Sequence, residues 1–145
     1  MTKHYGVGRS NYFKVKSVKA FQASIQGAPY DVHTGADGRV CILARGDDID
    51  GRLRHIVWDD EPGAEEREIH VLDLIAEHLE EGQVAVFMHT GAAMPEFLSG
   101  YSVAVHSDGR QVRVDLRDVY ERAAAEFGIR IGQIPVVGYL GAIVR

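Results

Sequence analysis

Cysteine is almost missing from this 145-residue chain. A single residue, Cys41, cannot form an internal disulfide, which fits a reducing compartment. It lies within Val40-Cys41-Ile42-Leu43, a strand-like run, so a buried and inert thiol is expected. Long apolar stretches are missing as well. Glycines or charges break each one well before 18 residues, so no transmembrane helix is expected. No apolar core flanked by a cleavage site opens the chain, so a signal peptide is not expected and a cytoplasmic location is. Lysine is absent after residue 19: all four (Lys3, Lys14, Lys16, Lys19) lie in the first 19 residues, together with Arg9 and no acid. Five bases without aromatic or motif support are a weak nucleic-acid footprint, and the chain is −5 overall, so direct nucleic-acid binding is not expected.

What is present is a concentration of acid. Between residues 47 and 68 stand nine carboxylates (Asp47, Asp48, Asp50, Asp59, Asp60, Glu61, Glu65, Glu66, Glu68) and three arginines (Arg52, Arg54, Arg67). That segment is −6, so the rest of the chain is +1. Such a run is ordinarily a solvated loop. Its sharper reading is a negative surface for a basic groove, because closely spaced carboxylates offer Arg and Lys clusters the charge they find on a phosphate backbone. The expected partner-binding residues are Asp47, Asp48, Asp50, Asp59, Asp60, Glu61, Glu65 and Glu66, with Trp58 as an aromatic anchor.

A length of 145 residues suits one domain, 1–145, and 46% hydrophobic with 26% charged residues suits a soluble globule. Residues 11–15 read as a first strand. Ser17 is placed to cap a helix carrying Val18, Phe21 and Ile25, stopped by Gly27. Residues 30–34 and 40–45 form a hairpin about Gly35-Ala36-Asp37-Gly38. Residues 53–58 suit a further strand. Val71, Leu72, Ile75, Ala76 and Leu79 make the stripe of a second helix closed by Gly82. The near-continuous apolar run from Gln83 to Met88 suggests a central strand covered on both faces. Residues 91–100 read as a loop. Residues 101–106 and 111–114 pair about Asp108-Gly109, and Asp115 caps a third helix bearing Leu116, Val119, Tyr120, Ala123 and Phe127. The tail 129–145 is apolar and glycine-broken, and completes the sheet or serves as a homodimer interface. The order of elements implies an α+β domain: a mainly antiparallel sheet with about three helices packed on it.

Catalytic chemistry finds little support. His70 and His78 are eight apart, about 80° off a common helix face. His89 and His106 end two expected strands and suggest the alternative of a metal-dependent hydrolase, should those strands bring them together. Asp48-Ile49-Asp50-Gly51 fits a calcium loop poorly, since its twelfth position is Val57. Gly6-Val7-Gly8-Arg9-Ser10 is not a phosphate-binding loop, and Ser99-Gly100 is not a nucleophile elbow. The expectation is therefore no catalytic residue, no metal and no cofactor.

Several strings suggest a family. They are Asn11-Tyr12-Phe13-Lys14-Val15-Lys16, Asp37-Gly38-Arg39, Glu81-Gly82-Gln83-Val84-Ala85-Val86-Phe87-Met88, Gly100-Tyr101-Ser102-Val103-Ala104-Val105 and Val114-Asp115-Leu116-Arg117-Asp118-Val119-Tyr120-Glu121. In that order, over residues 9–127, the chain resembles small proteins carried by bacteriophages and integrative elements of bacteria. The resemblance carries over no catalytic residue. It implies counter-defence of the anti-CRISPR kind: a non-enzymatic inhibitor that binds a host nuclease or interference complex. A self-assembling structural protein is the third alternative.

Overall fold

The computed structural model describes residues 5–44, 53–57, 63, 66–92 and 98–135. Alternating apolar residues and tight glycine turns build one six-stranded antiparallel sheet in the order β2-β3-β1-β6-β7-β8. Its strands are β1 (Tyr5–Ser10), β2 (Tyr30–Thr34), β3 (Val40–Ala44), β6 (Val84–Ala92), β7 (Leu98–His106) and β8 (Gln111–Asp115). A separate hairpin pairs β4 (Arg54–Val57) with β5 (Arg67–His70). Helices α1 (Val18–Ile25) and α2 (Val71–His78) cover one face of the sheet. α3 (Asp118–Phe127) and a 3-10 turn (Ile131–Gln133) follow β8. The α+β class with a mainly antiparallel sheet is as expected.

The core lies between the helices and that inner face. Phe21 and Ile25 of α1, Val71 and Ile75 of α2, and Ala85, Phe87, Val103 and Val105 of β6 and β7 are all buried there. Phe13 meets Phe21 edge-on at 5.8 Å. The 3.6-residue stripes of α1 and α2 therefore did locate the buried positions of those two helices. Ser17 caps α1 as expected, its hydroxyl accepting from the Ala20 N–H at 3.2 Å.

Five expectations need correction. The first strand is Tyr5–Ser10, not 11–15; the latter segment contributes only the bridges Phe13↔Val40 and Val15↔Leu79. Gly6 and Gly8 hide this strand, since glycine is a poor strand former. Gly8 is there for space: a Cβ would lie 2.8 Å from Phe87 Cζ, 3.0 Å from His89 Cδ2 and 3.1 Å from the Met88 carbonyl oxygen. Second, β5 was not expected, because Arg67 and Glu68 disguise it; Ile69 alone carries its buried side. Third, residues 91–100 are not all loop, since β6 runs to Ala92 and β7 begins at Leu98. Fourth, β6 is covered on one face only. Ala85 and Phe87 are buried, whereas Val84 and Met88 on the other face are exposed.

The third helix also starts later than expected, with Arg117 at its N-cap and no side-chain cap. Asp115 and Asp118 still meet across the turn. The Asp118 carboxylate accepts from the Asp115 N–H at 2.8 Å, and Asp115 accepts from the Arg117 N–H at 2.9 Å. Leu116, Val119 and Phe127 stay exposed, and α3 contributes no buried residue. The tail from 136 onward lies outside the described residues.

Candidate functional site

Most of the expected partner-binding residues (Asp47, Asp48, Asp50, Trp58, Asp59, Asp60, Glu61 and Glu65) lie outside the described residues. Glu66 is described; it is exposed and immediately precedes β5. The core fixes the points from which the acidic segment departs. β3 leads into it from buried Ile42, Leu53 packs against the core and accepts from the Val71 N–H at 2.8 Å, and Ile69 anchors its far end.

At that far end a groove of about 320 Å³ runs between α1, β5 and α2. The helical period sets its lining. With Val71, Ile75 and Leu79 turned into the core, Asp73 and Glu77 fall one turn apart on the exposed side of α2. Glu68 joins them from β5. Among the described lining residues Arg67 is the one strong base, and its guanidinium donates to the Gln26 carbonyl at 3.0 Å. Among the described residues, then, three carboxylates stand with one arginine that is held by backbone. The groove's two histidines are also engaged. His70 lies 3.7 Å from Glu68, and His78 hydrogen-bonds Ser24 Oγ at 2.9 Å and stands edge-on to Phe21 at 5.7 Å. Asp73 and Glu77 were not anticipated. Their four-residue spacing opposite the apolar stripe was the signal that marks them.

The strand histidines do not come together. His89 pairs in register with Tyr101 and His106 with Val84, five residues along β6, which is roughly 17 Å and the opposite face. His89 is buried and stacked on Tyr101 at 5.6 Å. His106 sits at the β7–β8 turn, its ring 3.1 Å from Asp108. The N–H of Arg110 and its guanidinium, donating to Asp108 at 3.0 and 2.7 Å, hold that carboxyl below the usual carboxylate range. Among the described residues no group of three or more His, Cys, Asp or Glu is placed to hold a metal. Cys41 is buried, as expected. The Tyr12 hydroxyl bonds to it, which raises the tyrosine above its ordinary value.

No family model matches the chain, and no curated protein or solved structure does. No helix among the described residues is long and apolar enough to cross a membrane.

Proposed function

We propose that the chain is a non-enzymatic inhibitor of the mobile-element kind, which binds the basic groove of a host nuclease or interference complex. The observation that carries this reading is the acidic groove at the root of the acidic segment. Glu68, Asp73 and Glu77 extend its negative charge from Glu66 onto a rigid helix and strand. A site on packed elements holds its charges in place, so less ordering entropy is lost on binding than from a loop alone. Carboxylates on such a face steer a basic partner from a distance and lose that pull as salt rises.

The test is a fourfold reversal, Glu66→Lys, Glu68→Lys, Asp73→Lys and Glu77→Lys, all at exposed positions. Wild-type protein immobilised in bacterial extract is expected to retain a nuclease or interference complex at low salt, and the reversed protein to lose it. Equal retention by both proteins rejects this surface.

A further inference from the structure

Among the described residues the outer face of β6, β7 and β8 carries an exposed apolar patch, bordered by Arg9, Thr90 and His106 and overlaid only at Gly100, by Leu116. Val86, Ala104 and Val112 stand in register across β6, β7 and β8, and Met88 and Val114 flank Ser102 in the next row. Val7 and Leu98 extend the patch onto β1 and the start of β7. Val7 is 73% exposed, Met88 59% and Val112 68%. Antiparallel sheets with one wet face normally turn polar residues toward it.

The same chain carries a second uncovered surface. α3 has ten residues, and isolated helices shorter than ~12–15 residues are marginal in water. Among the described residues its stripe is buried nowhere: Val119 is exposed and Phe127 is 70% exposed. The inner face of its own sheet is already covered by α1 and α2 over β6 and β7. Among the described residues the outer sheet face thus lacks a helix layer and α3 lacks a sheet, both on one polypeptide.

We propose that two copies of the chain pair about a two-fold axis, with α3 of each lying across the outer sheet face of the other. The interface is isologous, because each copy supplies both surfaces. The exposed large apolar residues of this face, of α3 and of Ile129 and Ile131 are 40–73% exposed, and covering all of them would reach the ~800 Å² per partner of a standard stable interface. The acidic groove lies on the helix-covered side of the sheet. Pairing therefore leaves two such grooves open, and the proposal stands independently of what they bind.

Sedimentation equilibrium of the full chain at roughly 1–100 µM tests this. The expected mass is twice the 16.0 kDa of one chain. Met88→Glu with Val112→Glu on the sheet, and separately Val119→Glu with Phe127→Glu on α3, are each expected to return the single-chain mass with an unchanged circular dichroism spectrum in the strand region. All four positions are exposed, so the fold itself does not depend on them. A single-chain mass for the wild type across the whole range overturns the proposal, and assigns the face to residues 136–145 or to another protein. A dimer that survives either pair of substitutions also overturns it, and places the contact elsewhere.

Discussion

Two hydrogen bonds in this fold have the same chemistry and the same length but different access to water. The Ile42 N–H donates to Ser10 Oγ at 2.9 Å in the buried interior, and the Gly82 N–H donates to Ser107 Oγ at 2.9 Å at the surface. Ser10 is 2% exposed, and it fastens β1 to β3 where their register is otherwise marked by Arg9↔Leu43. Replacing Ser10 by alanine leaves a donor in the core that no water reaches, which costs about 1–3 kcal/mol. Replacing Ser107 by alanine lets water take over the Gly82 N–H and costs about 0.5 kcal/mol. At this chain length 1 kcal/mol corresponds to about 2–4 °C, so Ser10→Ala is expected to lower Tm by ~6 °C and Ser107→Ala by ~1–2 °C. Urea unfolding of both variants beside the wild type measures the same difference, at unchanged slope. Equal losses, or a larger loss for Ser107→Ala, would refute the argument that burial makes Ser10 important.

The remaining expectations follow from close approach and charge. Gly8→Ala forces a methyl against Phe87, His89 and the Met88 carbonyl and is expected to destabilise by about 1–3 kcal/mol, read by urea unfolding; a neutral result would mean that β1 sits farther from β6. Asp108 has a folded-state pKa below its unfolded value, held there chiefly by the Arg110 N–H. Its contribution is complete above the unfolded carboxyl value near ~3.9 and is lost as pH falls through the lower folded value. Asp108→Asn should therefore trail the wild type in stability at neutral pH and converge with it in acid, and a gap that widens on acidification would contradict this. Dimerisation at the outer face predicts a Tm that rises with protein concentration in the wild type and is constant in Val119→Glu with Phe127→Glu.

The inner half of the fold was legible because its signals are local. Ser17 capped the helix it precedes, the Asp37-Gly38 and Asp108-Gly109 turns made the hairpins expected of them, and the α2 stripe of Val71, Ile75 and Leu79 pointed inward. Misreadings arose where a residue answers to a distant neighbour. Gly8 reads as a strand breaker until Phe87 and His89 are seen against it, and Gly100 reads as a loop until the Leu116 side chain is found where its Cβ would be. β6 looked doubly covered because sequence reports which residues are apolar and not what meets them. At the acidic surface the charge itself was visible from the start. The groove formed by Glu68, Asp73 and Glu77 was not, because it needs α2 to be seated beside β5.

The claim on which the functional reading depends is that a fixed negative face attracts a basic partner. The direct measurement is the affinity of the purified chain for the complex it captures, titrated from about 0.05 to 0.5 M salt, over which the screening length shrinks from about 14 to 4 Å. The account predicts that affinity falls at least about tenfold over that range, and that the fourfold lysine reversal at Glu66, Glu68, Asp73 and Glu77 abolishes binding at the lowest salt. An affinity indifferent to salt and unchanged by the reversal would contradict it.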